Sequence, residues 1–166
     1  MESRFGIGAV IVGLLPAQDP AVLLCAAELA AATGVRLAGA YVDPASYLIE
    51  WDPDGNVDGK SLDPALDPED DALQAAHELE ALLRRAAGAC GVEYSFRTLG
   101  GDPAMALGRL AAAMSASAIV VGTRRPGVAA GVSELVGGSV ARKLFTTQHV
   151  PVVVVPRTGV KAAHQG

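Results

Sequence analysis

The stretch Ser117–Pro156, SAIVVGTRRPGVAAGVSELVGGSVARKLFTTQHVPVVVVP, decides the fold. It reads as a short apolar strand (Ala118–Val121), a glycine-studded loop, a helix from Ser133 to about Thr147, and a second apolar strand (Val152–Val155). A strand that opens into glycines and then a helix lets backbone N–H groups approach a phosphate. Gly122, Gly127, Gly137 and Gly138 have no Cβ to obstruct such an approach. The pattern points to a class of ligand and to no reaction.

Working outward, the same alternation recurs. Ile7–Leu15 is a short, nearly all-apolar run ended by Pro16, as a buried strand should be. Pro20–Thr33 reads as a helix, with Asp19 as N-cap, proline at the first position and Gly34 as the stop. Val35–Val42 returns as a strand and ends at Asp43-Pro44. Pro68 to Ala89 is the clearest helix: Glu69, Asp70 and Asp71 crowd its first turn and Arg84 and Arg85 its last. Its apolar stripe is Leu73, Ala76, Leu79, Leu82 and Leu83. Val92–Leu99 alternates as a strand, and Gly100-Gly101-Asp102-Pro103 turns into a helix over Ala104–Met114. Five strands alternating with four helices predict an α/β fold: an open, twisted parallel sheet with helices on both faces. Ligands of such sheets bind beyond the carboxyl ends of the strands, where strand order reverses. The Gly122 loop and the Leu15–Asp19 loop both lie at such ends.

Residues 43–68 break the rhythm. Asp43, Glu50, Asp52, Asp54, Asp58, Asp63 and Asp67 stand among Pro and Gly, with Lys60 the only basic residue. The segment reads as a long acidic surface loop, pinned in part by Tyr47, Leu48, Ile49 and Trp51. It could be a solvated insertion or a functional loop. Its carboxylates follow no calcium-loop spacing, so no metal site is expected.

The 166-residue length fits one domain over 1–156, followed by a frayed tail over 157–166. Half the residues are hydrophobic (51%) and only 4% aromatic, so the core is Ala, Val and Leu. Cys25 and Cys90 have no partner at metal-ligand spacing and are expected as buried thiols. A net charge of −5 argues against nucleic acid as a partner. No apolar run reaches the roughly 18 residues of a membrane span. Phe5–Leu15 has the length of a signal-peptide core, but Glu2 weakens its positive flank and Ala9–Val12 is needed as a central strand.

Catalytic pairings find no support. Ser139 and His149 lie on a helix and its exit with no orienting acid. His77, Glu28 and Glu134 read as solvated helix residues. Val152–Val155 forms a strong β-branched strand between Pro151 and Pro156; if such an apolar strand lies at a sheet edge, it must be covered, by its own copy or by the tail.

Taken in order, VIVGLL, AVLLCAAELAAATGVRLAGAYVDP, GDPAMALGRLAAAMSASAIVVGTR and GSVARKLFTTQHVPVVVVP resemble the universal stress protein family over nearly the whole chain. The resemblance implies strand order 3-2-1-4-5, a Rossmann-like, adenine nucleotide alpha hydrolase-like sheet. It also implies a cytoplasmic homodimer joined through Val152, Val153, Val154 and Val155, and no shared catalytic activity. Nucleotide binders in the family carry G-x2-G-x9-G-[ST] after the fourth strand and an Asp at the end of the first. Here Gly122 and Gly138-Ser139 match, but the interval is three residues longer, Arg125 stands at the second glycine, and the Asp position falls at Leu14 or Leu15. Gly127 is the substitute glycine, and Arg124 and Arg125 add positive charge near the phosphates. The implied site thus combines Leu14, Leu15 and Val42 near base and sugar with Val121, Gly122 and Thr123. Arg125, Gly127, Gly138, Ser139 and Val140 complete it around phosphate and ribose. Two readings stand: a non-catalytic regulatory module with an unidentified protein partner, no required cofactor and weak or absent nucleotide binding, or an ATP-binding sensor with slow hydrolysis. An enzyme or electron carrier on the same sheet is a third.

Overall fold

The computed structural model describes residues 5–43, 47–48, 59–60, 68–123 and 139–157. Strand β1 (Val10–Leu14) leads into helix α1 (Pro20–Thr33). The Asp19 carboxylate accepts from the Ala21 N–H at 3.0 Å, and Pro20 fills the first turn, where a missing N–H costs nothing. Gly34 ends the helix in the left-handed conformation, φ 70°, and donates its N–H back to the last turn. The chain continues as β2 (Leu37–Asp43), two short segments β3 (Tyr47–Leu48) and β4 (Gly59–Lys60), and α2 (Pro68–Cys90). Then come β5 (Tyr94–Gly100), α3 (Pro103–Ala113), β6 (Ala118–Gly122), α4 (Ser139–Thr147) and β7 (Val152–Val155).

Five strands form one parallel sheet in the order β5-β2-β1-β6-β7. Counting only these strands, the order is 3-2-1-4-5, as expected. The chain winds from β1 outward to β2 and β5, then crosses back to β6 and β7, so the order reverses between β1 and β6. Alternation along the strands makes two cores. Val10, Val12 and Leu14 face α1 and α2 with Val22, Leu79 and Leu83. Ile11, Val42, Leu99 and Val121 face α3 and α4 with Leu107, Leu110 and Leu144. Both are mainly aliphatic, as the composition required, with Tyr41 the buried aromatic in the first.

Several boundaries and exposures differ from expectation. Phe5 and Ile7 are exposed, so β1 starts at Val10, where pairing begins on both sides. In α2 the buried stripe is Ala76, Leu79, Leu83 and Ala87, while Leu73 and Leu82 are exposed. Leu82 is turned about 100° from Leu83, off the seam that meets the sheet. Because α2 runs to Cys90, Arg84 and Arg85 precede its last turn. Cys25 and Cys90 are half-buried thiols, at the edges of their helices' buried faces. The acidic segment is not unbroken loop: Tyr47 and Leu48 pair antiparallel with Lys60 and Gly59. The remainder of that segment, Ile49 and Trp51 included, lies outside the described residues, as do 124–138 and the tail beyond Arg157.

Candidate functional site

Parallel strands leave their carboxyl ends open, and the two central ones part at the switch point. Pairing of β1 with β6 runs from Val10↔Ala118 to Val12↔Val120 and stops. Yet β1 continues to Leu14 alongside Tyr41, and β6 continues to Gly122 alongside Val155. Sheets of this type carry their ligand crevice between two such exits.

The β1 exit is a tight turn. The Gln18 N–H donates to the Leu15 carbonyl at 3.2 Å, Pro16 takes the second position, and Ala17 has φ 55° at the third. This is the type II pattern, which prefers glycine or asparagine where Ala17 stands. The turn brings the Gln18 side chain back over the strand. Its Nε2 donates to the Gly13 carbonyl at 3.0 Å, and its Oε1 accepts from the Leu15 N–H at 3.3 Å. The amide therefore serves the Gly13 carbonyl where the β1–β6 ladder has ended.

On the other exit, side chains of α1 and of the turn before it pack against Gly122. A Cβ there would lie 3.1 Å from Val22 Cγ2 and 3.6 Å from Gln18 Nε2. Thr123 is fixed beside it: its N–H donates to the Val155 carbonyl at 3.1 Å, and its hydroxyl oxygen accepts from the Arg157 N–H at 3.2 Å.

The other expected residues divide between the crevice and the cores. Leu14 is only 2% exposed and packs with Val12 and Val22, so it belongs to the core under α1 and α2. Leu15, half-buried one residue further, stands at the mouth. Val42 and Val121 are 4% exposed and lie together in the core under α3 and α4, at the carboxyl ends of their strands. Val140 is half-buried against that same core, in the first turn of α4, and Ser139 begins the helix. Arg124, Arg125, Gly127 and Gly138 lie outside the described residues.

Among the described residues, two titrating groups at this end of the sheet are shifted by their neighbours. Asp102 caps α3, accepting from the Met105 N–H at 3.1 Å, and its other oxygen meets Lys143 Nζ of α4 at 2.6 Å. The Lys143 ammonium, and then the cap bond, hold its carboxyl below the usual range. Burial, and then the Asp43 charge, push the Tyr41 phenol up. Among the described residues no three His, Cys, Asp or Glu side chains gather as a metal site would need. Among them, too, no helix is long and apolar enough to cross a membrane.

Gln18 escaped the sequence reading. The signal present was Pro16, a turn former at the second position, but Ala17 hid the turn type by standing where glycine is expected.

The chain thus has a doubly wound parallel α/β sheet, an architecture whose ligands bind where strand order reverses. The universal stress protein family model matches residues 8–156, and the chain belongs to that family. No curated protein matches it closely. Solved structures share the fold. A universal stress protein from Archaeoglobus fulgidus is 24% identical, with a TM-score of 0.63, covering 89% of this chain and 97% of its own. The structure of the universal stress protein from that organism in complex with dAMP is 22% identical, with a TM-score of 0.60, covering 89% and 96%. A family protein from Arabidopsis thaliana with AMP bound is 15% identical, with a TM-score of 0.54, covering 95% and 97%.

Proposed function

We propose that the protein is a non-catalytic binding module that takes an adenine nucleotide weakly in the β1–β6 crevice and works as a homodimer through β7. The observation that carries this reading is the early end of the β1–β6 ladder at the switch point, with Gly122 on one exit and the Leu15–Gln18 turn on the other. Family neighbours of the same fold hold dAMP and AMP, which supports the ligand class. Weakness follows from Leu15. An apolar side chain at the mouth of β1 offers a sugar hydroxyl nothing, where family binders place a carboxylate. A charge-assisted hydrogen bond contributes about 1.5–3 kcal/mol, so its lack costs roughly tenfold to a hundredfold in affinity. Gly13, Leu15, Gln18, Gly122 and Thr123 can bind and orient a ligand, and none is a general acid or base at neutral pH.

The homodimer rests on the edge position of β7. Its pairing with a second copy would cover the one sheet edge built entirely of valine. Calorimetry with ATP and magnesium tests the ligand: the expected result is saturation only at about 0.1 mM or above, the range implied by that hundredfold loss. Saturable binding in the low micromolar range, with phosphate release, would favour the ATP-binding sensor instead. Mass spectrometry of small molecules released from fresh protein shows which nucleotide, if any, travels with it.

A further inference from the structure

Resting on the reading of a dimer through β7, we infer that the second copy also seats on the outer flank of α4, with Phe145 as the anchor of that contact. The strand edge alone is too small. β7 offers four residues, whereas a stable protein–protein interface takes about 20–30 residues a side, so the elements beside the edge must supply the rest. On the α3–α4 face of the sheet that element is α4, which packs on β7. Ala141 and Leu144 are buried beneath it. Lys143 meets Asp102 at the start of α3, and Gln148 lies against Gly108 of α3, so that side of α4 is occupied. Phe145 is turned about 100° from Leu144, away from Lys143. It therefore stands on the flank opposite α3, toward the open side of β7, and is 54% exposed. Val152 and Val154, half-buried on the same face, carry the apolar strip on from Phe145 to the edge.

The two edges of the described sheet are not alike. β5, the other one, carries Arg97 and has β3 beside it, and a charge on an edge strand is a common block to pairing. β7 has four valines and no charge. A second copy is the occupant that fits, because a two-fold axis at β7 sets α4 of one copy against α4 of the other. Phe145 and Arg142, both exposed on this flank, are residue types that interfaces favour.

The experiment is sedimentation over a dilution series with wild type, Phe145→Ser and Met105→Ser. Met105, 56% exposed on α3, is the control for losing an exposed apolar side chain away from the β7 edge. Wild type should dimerise. Phe145→Ser should raise the dimer dissociation constant by about tenfold to a hundredfold, since each dimer loses the side chain twice. Met105→Ser should leave the constant unchanged. A second variant keeps an aromatic ring in place: the emission of Phe145→Trp should move to the blue as the protein is concentrated through the dimer transition, with wild type as the blank for Trp51. If wild type dimerises and Phe145→Ser dimerises equally well, or the Phe145→Trp emission does not move, the inference is overturned while the dimer stands. A wild type that stays monomeric from nanomolar to millimolar concentration overturns the dimer through β7 and the inference with it, and leaves the flank to an unlike protein.

Discussion

At position 15 a leucine meets the mouth of the crevice, half-buried and without a polar atom to offer. Leu14, its neighbour, is sealed in the core, so the two are not interchangeable as sites for a carboxylate. Leu15→Asp should therefore strengthen ATP binding by about tenfold to a hundredfold in calorimetry, whereas Leu14→Asp should lose the fold. Ala17 tells a second story. Its φ of 55° puts a Cβ in a region that costs an ordinary residue about 1 kcal/mol. Ala17→Gly removes that strain and adds some unfolded-state freedom, for a net gain of about 0.5 kcal/mol, seen as a rise in urea midpoint at constant slope. The resemblance narrowed the carboxylate position to Leu14 or Leu15, and the fold chose Leu15; the strain at Ala17 was not legible, because the turn that imposes it is a fact of geometry.

The helices show the opposite case. The caps of α1 were readable to the residue, because Asp-Pro before and Gly after an apolar stretch each satisfy a local need. Asp102 was equally placed to cap α3, but its pairing with Lys143, 41 positions away in sequence, needed α3 and α4 to lie side by side. That pairing gives a pH dependence with a definite sign. The folded-state carboxyl titrates below its ordinary value, so its stabilisation is complete above the unfolded pKa near 4 and is lost as pH falls through the lowered folded value. Asp102→Ala should cost about 1 kcal/mol at pH 7 in urea unfolding, chiefly the cap, since an exposed ion pair adds little. The gap between wild type and variant should narrow from pH 5 to pH 2.

For the molecule as a whole, the edge at β7 matters most. Pro151 and Val155 turn their carbonyls to β6, which fixes the direction of their neighbours by alternation. Val152 and Val154 therefore point their backbone groups away from β6, toward the side where no described strand pairs. The side chains of Val152 and Val154 pack toward the α3–α4 core, and those of Val153 and Val155 toward the α1–α2 core. A charged side chain at Val153 would thus disturb the fold as well as the edge. Val154→Pro is cleaner, because it removes one outward N–H and no bond to β6. If the proposed edge pairing holds, Val154→Pro should leave only monomer in sedimentation where wild type is a dimer, with a small change in melting temperature; a wild-type monomer or an unchanged dimer would overturn the pairing through β7.

The succession of apolar runs and capped helices determined a parallel α/β sheet, because each element's period and end signals are local and the crossover rule leaves few ways to join them. Which side chains line the mouth was decided only in three dimensions. Leu14 and Leu15 have the same chemistry, and Gln18 carries no motif. Their roles arise where β1 and β6 separate, a juxtaposition of residues about a hundred positions apart that no local pattern encodes.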